Sequence, residues 1–319
     1  MSASRRHVLA LSGGVGGAKL AAGLGRVLAP DDLTIVVNTA DDFEHLGLTI
    51  CPDIDSVTYA LAGLNDTERG WGVKDETWQA MAMLRALGEA DWFNLGDRDL
   101  GMHIARSWRL RAGESLSEVT ARLTRQLGIA PAIVPMSDVP VRTQVGTADG
   151  WLDFQRYFVA EQCRPVATGI RFAGVPGAPP SPGFAAALAR DDLAAVIVCP
   201  SNPYLSVDPI LAVDGVRAAL VARKVPLVAV SPLVGGAALK GPLAKLLGEL
   251  GQEVGNRAIA DHYGALLDHL VIDTADAADA QGLRGSGLCV TVTGTVMHDA
   301  QDRERLARAA LSAAGIETG

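Results

Sequence analysis

The sequence predicts an α/β fold: a Rossmann-like, mostly parallel sheet with helices on both faces and an inserted α+β subdomain. Short apolar runs typical of buried strands alternate with helix-forming segments near the start of the chain and again in its second half. The middle of the chain interrupts this alternation with helical patterns and a hairpin signal. We therefore expect a single domain over residues 1–319, with the inserted subdomain at approximately 65–185.

The first predicted unit is a strand, a glycine-rich turn and a helix. Residues 7–11 form a short apolar run, residues 12–19 read SGGVGGAK, and residues 20–27 favour a helix. The β-branched run at 34–37 predicts a second strand, and the polar run that follows it begins with Asn38, a candidate binding residue. Ligands of open α/β sheets bind at the carboxyl ends of the strands, so both segments point to one crevice.

The middle of the chain predicts packing helices and a hairpin. Apolar residues recur at roughly helical spacing in residues 76–87, and residues 116–127 also favour a helix. Residues 141–147 and 151–154 are joined by a turn that contains Asp-Gly, a pair that favours the positive φ angles of tight hairpins. These elements define the predicted insertion.

The second half returns to alternating strands and helices. The Pro- and Gly-rich residues 174–183 predict a loop. Apolar runs at 194–199, 226–230 and 270–272 predict three further strands. One apolar face over residues 306–313 is typical of a helix that closes the domain.

Composition and charge exclude several classes of protein. The chain is 49% hydrophobic and 20% charged, as in an ordinary globular protein. A net charge of -8 offers no basic field for nucleic acid or an anionic membrane, and we expect neither partner. The four cysteines are dispersed without a CxxC pair, so neither zinc nor a disulfide framework is indicated. Lacking a signal-peptide core and any run near ~18 apolar residues, the protein is predicted to be cytoplasmic.

The glycine-rich segment is a candidate phosphate site. Glycine lets backbone N–H groups and a helix N-terminus approach an anion closely. The candidate ligands are Gly13, Gly14, Val15, Gly16, Gly17 and Lys19. The segment matches neither a dinucleotide GxGxxG, which would need glycine at position 19, nor a P-loop, which would need Gly-Lys-Ser/Thr. A tight strand-to-helix turn without a ligand is the alternative.

Four aspartates follow the second predicted strand within fifteen residues: Asp41, Asp42, Asp53 and Asp55. Carboxylates near a phosphate loop suit Mg²⁺, which proteins commonly hold through one or two carboxylates together with substrate phosphates. Asp42, Asp53 and Asp55 are the candidate metal ligands. Aspartates at loop ends also form turns or cap helices, so the spacing alone leaves both interpretations open.

Two further polar segments are candidate binding loops. Asn94, Asp97 and Arg98 belong to a dense polar cluster, and Ser201 and Asn202 directly follow the predicted strand at 194–199. The alternative for the first segment is a helix cap at Asp97 or Asp99, and the alternative for the second is a plain turn at 200–203.

The histidines His45, His103 and His262 are isolated in the sequence. None has a metal-spaced partner or a serine-elbow motif nearby, so catalytic triads and zinc sites are not supported. We expect these histidines to be core or surface residues.

Taken together, these segments resemble the 2-phospho-L-lactate transferase family of coenzyme F420 biosynthesis. The similar blocks occur in order as LSGGVGGAK (11–19), VNTADD (37–42), CPDID (51–55), RGWG (69–72), WFNLGDRD (92–99) and PSNP (200–203). The likeness continues through AVSPLVGG (229–236) and DHYG (261–264), so it covers nearly the whole chain.

The resemblance implies a reaction. A phospholactyl, enolpyruvyl-phosphoryl or phosphoglyceryl group would move from a guanosine diphospho-donor to the ribityl hydroxyl of the deazaflavin Fo, and GMP would leave. The resemblance also implies a homodimer, phosphate binding by the glycine loop, and Mg²⁺ held by the aspartates. Residues 94–99 would shape the deazaflavin or diphosphate pocket, and Asp42 or Asp55, the candidate catalytic residues, would orient the hydroxyl. The sequence does not determine which three-carbon acid the donor carries.

Two other functions share parts of this pattern. Gluconeogenesis-factor proteins are regulators that bind nucleotide-sugars and have a related glycine loop and Asp-Asp pair. In those proteins a Gly/Ser-rich run follows the Asp-Asp pair. In this sequence FEHLG at 43–47 follows it and leads to PDID at 52–55. A nicotinamide-dependent oxidoreductase is disfavoured by the incomplete GxGxxG.

Overall fold

The structure is a computed structural model that describes residues 6–238 and 242–318. The strands are β1 (His7–Ser12), β2 (Leu33–Val37), β3 (Phe43–His45), β4 (Leu48–Ile50), β5 (Ala132–Pro135), β6 (Arg142–Thr147), β7 (Gly150–Asp153), β8 (Gly169–Ala173), β9 (Leu193–Val198), β10 (Leu227–Val230), β11 (Leu233–Val234), β12 (Ala237–Ala238), β13 (His269–Ile272) and β14 (Cys289–Val292). The α-helices are α1 (Gly14–Val27), α2 (Pro52–Ala62), α3 (Gln79–Ala86), α4 (Asp97–Arg111), α5 (Leu116–Gln126), α6 (Pro182–Leu188), α7 (Asp208–Ala212), α8 (Val216–Ala222), α9 (Leu243–Glu249), α10 (Asn256–Tyr263), α11 (Asp279–Gly285) and α12 (Ala300–Ala313).

A seven-stranded parallel sheet in the order β14-β13-β10-β9-β1-β2-β5 forms the centre of the molecule. Successive residues of β1 enter two different hydrophobic cores: Leu9 and Leu11 face one layer of helices, and Val8 and Ala10 face the other. Burial on both faces is typical of parallel strands. The predicted Rossmann-like fold is therefore confirmed. Among the described residues, no helix is long and apolar enough to cross a membrane.

The first helix begins earlier than predicted. Residues 12–19 were expected to form a turn followed by a helix from residue 20, but α1 already begins at Gly14. Glycine is a poor helix former, so this start depends on tertiary contacts. The N–H of Gly14 donates to the Asp53 carboxylate at 2.8 Å, which satisfies one of the N–H groups that a helix start leaves without an internal partner.

The range of the predicted insertion contains a small antiparallel sheet of its own and also one strand of the central sheet. The predicted hairpin is confirmed by β6 and β7, which pair with β8 in a three-stranded antiparallel sheet. Strand β5, however, lies within the range 65–185 and pairs with β2 in the central sheet. The rest of the range contains α3, α4, α5, this small sheet, the π-helical turn Arg156–Ala160 and the start of α6. The division of this range from the core stays a prediction.

The contact between α1 and α12 requires a glycine and gives the first prediction. A Cβ on Gly23 would lie 2.2 Å from the backbone oxygen of Arg303, so the two helices would have to separate. We expect Gly23→Ala to destabilise the protein by about 1–3 kcal/mol, as for other overpacked cores. Gly25→Ala is the matched control, because its Cβ would meet nothing nearer than 3.5 Å and alanine favours the helix. Urea unfolding of both variants tests this, and equal stability would contradict it.

Candidate active site

The ends of three neighbouring strands are joined by direct hydrogen bonds. Ser201, just beyond β9, accepts a hydrogen bond from the N–H of Gly13 at 3.0 Å and donates its hydroxyl to the Gly13 carbonyl oxygen at 2.8 Å. The N–H of Asn38, just beyond β2, donates to the Ser12 carbonyl oxygen at 3.0 Å. The structure therefore brings the segments after β1, β2 and β9 together at one edge of the sheet.

The glycines of this edge are needed for contacts within the protein. A Cβ added to three of them would approach other protein atoms within 2.6 Å: Ser206 Cβ for Gly13 at 2.6 Å, Pro200 O for Gly16 at 2.5 Å and Ser201 Oγ for Gly17 at 2.5 Å. Their absent side chains let α1 pack against the segment after β9. Phosphate binding by the same glycines stays a prediction.

Asp53 connects the start of α2 to the start of α1. Its carboxylate accepts hydrogen bonds from the N–H of Gly14 at 2.8 Å and from the Asn38 side-chain amide at 3.0 Å. Burial raises the pKa of Asp53 to about 6, and these two hydrogen bonds oppose that rise. A carboxylate is thus held beside the N-terminus of α1, where anionic ligands would also bind.

Asp41 and Asp42 are buried carboxylates with incomplete hydrogen bonding. Each is at most 6% exposed, and within the described part of the chain Oδ1 of each has no hydrogen-bond partner. Burial raises the pKa of Asp42 to about 7. Burial, followed by the charge of Asp53, raises the pKa of Asp41 well above its usual range. Buried carboxylates that lack partners are costly, and a bound cation would remove that cost.

Asp55 lies in a different electrostatic environment. Both of its oxygens accept hydrogen bonds from the guanidinium of Arg106, one of them at 3.1 Å. Arg106 is only 2% exposed. Burial alone would lower the pKa of Arg106, but the Asp55 carboxylate outweighs it and holds that pKa above its ordinary value. The charge of Asp55 is therefore already balanced within the protein.

A buried polar network extends from this ion pair. Nδ1 of His103 lies 3.2 Å from Arg106 Nη1, and Nε2 of His103 lies 3.3 Å from Asp99 Oδ1. The same oxygen of Asp99 accepts the hydroxyl of Tyr59 at 2.5 Å. His103 is buried, as expected of a core histidine, but the expectation that it has no metal-spaced partner is wrong, because Asp99 lies four residues before it. The signal in the sequence was the spacing of Asp99, His103 and Arg106, which places all three on one face of α4.

Three members of this network form the one cluster, among the described residues, with geometry that could hold a metal ion. Ligand atoms of Asp55, Asp99 and His103 all lie within 4.8 Å of one another. Arg106 occupies both oxygens of Asp55, so an ion here would have to compete with a buried guanidinium. The carboxylates of Asp41, Asp42 and Asp53 form no ion pair of this kind within the described part of the chain. The charges of Arg142 and Arg106 nevertheless oppose the rise that burial produces in the pKa of Asp42.

The predicted binding residues at 94–98 have structural partners. The Asp97 carboxylate accepts hydrogen bonds from the first two N–H groups of α3, both at 3.0 Å, and so caps that helix. Asn94 accepts a hydrogen bond from Arg85 at 2.6 Å, and Arg98 donates to the Lys74 carbonyl oxygen at 2.8 Å. These contacts favour the cap interpretation for Asp97, although the capped helix is α3, which precedes it.

Lys19 and Asn202 also contact other parts of the chain. The Lys19 ammonium group donates to the Met297 carbonyl oxygen at 2.8 Å. The Asn202 side chain accepts the N–H groups of Tyr204 at 3.0 Å and Leu205 at 3.2 Å, which caps the π-helical turn Pro203–Val207. Asn202 therefore shapes the segment that packs on the glycine loop.

A cleft with a cavity volume of about 40 Å³ lies between α1, α2 and the loop at residues 65–72. Val15, Lys19, Tyr59 and Trp71 are among the residues that line it. Tyr59 also lines a second cavity of about 240 Å³, whose other walls are Arg98 and mostly apolar side chains of α4 and α5. The first of these cavities adjoins the predicted phosphate segment, because Val15 and Lys19 belong to both.

Comparison with known proteins identifies the family. The family model for 2-phospho-L-lactate transferase CofD matches residues 8–314. The chain is 38% identical over 315 residues to a phosphoenolpyruvate transferase of Kitasatospora aureofaciens, covering 97% of this chain and 98% of the relative. It is 36% identical over 306 residues to a 2-phospho-L-lactate transferase of Methanosarcina mazei, covering 96% and 100%.

Comparison with solved structures supports the same fold. A UPF0052-family protein from Bacillus halodurans superposes with a TM-score of 0.64 at 16% identity, covering 97% of this chain and 99% of that chain. That likeness concerns the fold alone, whereas the sequence matches extend over nearly the entire chain. The chain therefore belongs to the CofD family of 2-phospho-L-lactate transferases and is an enzyme that transfers a phospho-group.

Proposed function

We propose that the enzyme transfers a phospho-acid from a guanosine diphospho-donor to the ribityl hydroxyl of the deazaflavin Fo, with Mg²⁺ as cofactor and GMP as the leaving group. The observation that carries the proposal is the pair of buried carboxylates, Asp41 and Asp42, at the strand edge that also holds the N-terminus of α1. Buried carboxylates beside the first turn of a helix suit a metal–diphosphate ligand, because carboxylates can hold the metal and helix N–H groups can bind phosphate oxygens.

The proposed ligands are carboxylates of one sheet edge, and they would have to move closer together than they lie here to share one divalent cation. The orphaned Oδ1 atoms of Asp41 and Asp42 are hard oxygen ligands, and Asp53 contributes a third carboxylate close enough to raise the pKa of Asp41. We therefore propose Asp41, Asp42 and Asp53 as the residues that would hold Mg²⁺. The sequence predicted Asp42, Asp53 and Asp55 as the metal ligands. In the proposed set Asp41 replaces Asp55, because Asp55 is paired with Arg106. When bound, the ion would neutralise charge on the diphosphate.

The remaining steps are assigned to the chain's own residues. The N–H groups of Val15 and Gly16, in the first turn of α1, would bind diphosphate oxygens, since helix starts leave such donors unsatisfied. Ser201 fixes the backbone of Gly13 on both its N–H and its carbonyl group. Asp42 would orient the ribityl hydroxyl for attack. Positioning and charge neutralisation are the main requirements of transfer at phosphorus.

The proposal includes the cellular setting. Fo and the donor would be the small-molecule partners of a cytoplasmic homodimer, which is supported by membership of the family. The donor acid is left open, because the chain is 38% identical to a phosphoenolpyruvate transferase and 36% identical to a 2-phospho-L-lactate transferase.

One assay tests activity and donor together. Pure protein is incubated with Fo, Mg²⁺ and each of the three guanosine diphospho-donors, and the products are analysed by mass spectrometry. We expect GMP and a deazaflavin phosphodiester with one of the donors, and neither product after the metal is removed by a chelator. Absence of product with every donor, together with binding of a nucleotide-sugar, would favour a non-catalytic regulator instead.

A further inference from the structure

The start of β6 is fixed to the loop that follows β2. The N–H of Thr143 donates to the Ala40 carbonyl oxygen at 2.7 Å. Nη1 of Arg142 lies 3.5 Å from the carbonyl oxygen of Thr39, in the same loop. This loop carries two of the candidate metal ligands. The small antiparallel sheet therefore places an arginine at the edge of the central sheet where those ligands lie.

The guanidinium of Arg142 is not used by a carboxylate of the protein. Within the described part of the chain its hydrogen bonds go to backbone carbonyl oxygens, that of Val141 at 2.8 Å and that of Thr39. Arg106 differs, because its guanidinium donates to both oxygens of Asp55. A guanidinium has five N–H donors, so most of those of Arg142 are available to a ligand.

The charge of Arg142 acts on the candidate site. Arg142 is half-buried, and its positive charge opposes the rise that burial produces in the pKa of Asp42. The guanidinium is thus near enough to influence that carboxylate but does not pair with it. A cation that is only partly screened by water lies beside the loop of candidate ligands.

The candidate donors share a carboxylate. Their three-carbon acids differ in a methyl, a methylene or a hydroxymethyl group, so the carboxylate is the feature that one residue could recognise in all of them. The buried carboxylates of Asp41, Asp42 and Asp53 would repel this additional negative charge. A guanidinium would attract it, and its paired N–H groups match the two oxygens of a carboxylate.

We propose that Arg142 binds the carboxylate of the transferred phospho-acid and so makes the enzyme selective for acids over uncharged phosphoesters. This inference rests on the proposed function and adds a specificity-determining residue to it. Arg142 has no part here in metal binding or in the attack at phosphorus. Because the carboxylate is common to the three donors, the choice among them depends on other residues.

The test combines a change in the enzyme with the matching change in the substrate. The two ligands are the donor that the mass-spectrometric assay identifies and its descarboxy analogue, in which hydrogen replaces the carboxylate. Their Kd values are measured by calorimetry with Mg²⁺ and without Fo, and kcat and KM are measured for the donor.

We expect Arg142→Gln to raise the Kd and the KM of the donor roughly tenfold or more, as for other lost hydrogen bonds to charged groups. The Kd of the descarboxy analogue should stay within about twofold of the wild-type value, and kcat at saturating donor should fall less than KM rises. Arg142→Lys should bind the donor with intermediate affinity, because lysine keeps the charge but not the paired N–H groups.

Arg171→Gln is the matched control. Arg171 lies on β8 of the same small sheet, where it donates to Gln144 at 2.8 Å and its guanidinium lies 4.3 Å from the Trp151 ring centroid. This variant should match the wild type with both ligands. The melting temperatures of all variants show whether they are folded.

The outcomes separate this inference from the proposed function. If Arg142→Gln weakens binding of the donor and the analogue equally, or of neither, Arg142 does not recognise the carboxylate and the proposed function stands. Equal affinity of the wild type for the two ligands would also overturn the inference. If the wild type forms no product with any donor, both fail.

Discussion

Asp42→Asn is expected to remove most turnover while leaving the protein folded and at least as stable as the wild type in the absence of metal. Asparagine keeps the shape of the side chain but removes a buried charge that lacks a hydrogen-bond partner on Oδ1. A metal ion contributes several kcal/mol to stabilising transition-state charge, and each 1.36 kcal/mol is a factor of ten in rate. We therefore expect a loss of at least about 100-fold in kcat and a higher Mg²⁺ requirement.

The matched control is Asp97→Asn, an aspartate whose carboxylate caps α3. Loss of a helix cap costs about 1 kcal/mol of stability, and here it should leave the Mg²⁺ midpoint unchanged. Melting temperature without metal, kcat and the Mg²⁺ dependence of the rate are measured for both variants. If Asp42→Asn retains turnover within about twofold of the wild type at an unchanged Mg²⁺ midpoint, Asp42 holds no metal.

Arg106→Met is expected to produce the largest loss of stability, about 3–5 kcal/mol. The substitution leaves Asp55 buried without its counter-charge, and breaking a buried pair by removing one partner is strongly destabilising. Asp55→Asn in the Arg106→Met background should recover part of the loss, because it removes the uncompensated charge. Urea unfolding of the two single variants and the double variant gives the coupling energy of the pair.

The control for this prediction lies on the same helix. Arg109 pairs with Glu114 at 2.9 Å, but both side chains remain about one-quarter exposed, so Arg109→Met should cost less than about 1 kcal/mol. Equal losses for Arg106→Met and Arg109→Met would show that the Asp55 pair is no more important to stability than a surface ion pair.

The elements of the fold that could be predicted are those that follow from local sequence patterns. Apolar runs predict the strands β1, β2, β9, β10 and β13, but not β5 or β14. Strand β5 ends in a proline and β14 includes a threonine between its valines, so neither forms a clear apolar run. The start of α1 at Gly14 was missed for a different reason. The carboxylate that helps to satisfy its first turn is Asp53, which lies 39 residues away in the sequence.

In the candidate site, too, features that depend on neighbouring residues could be predicted, and features that depend on residues distant in the sequence could not. Asp41 and Asp42 follow a strand directly, so their position at the sheet edge could be predicted from the sequence. The environment of Asp55 could not, because Arg106 lies 51 residues away on a helix of the predicted insertion. Asp97 was assigned to a binding loop because its role as a cap depends on a helix that precedes it.

The close packing of the glycine loop has a consequence for how such sequences diverge. A side chain at Gly13, Gly16 or Gly17 would collide with the segment after β9, whatever ligand the protein binds. Selection for the fold alone would therefore preserve these glycines through a change of substrate. Descendants of a common ancestor that catalyse different reactions, or none, should share the glycines and differ first at residues that face the ligand.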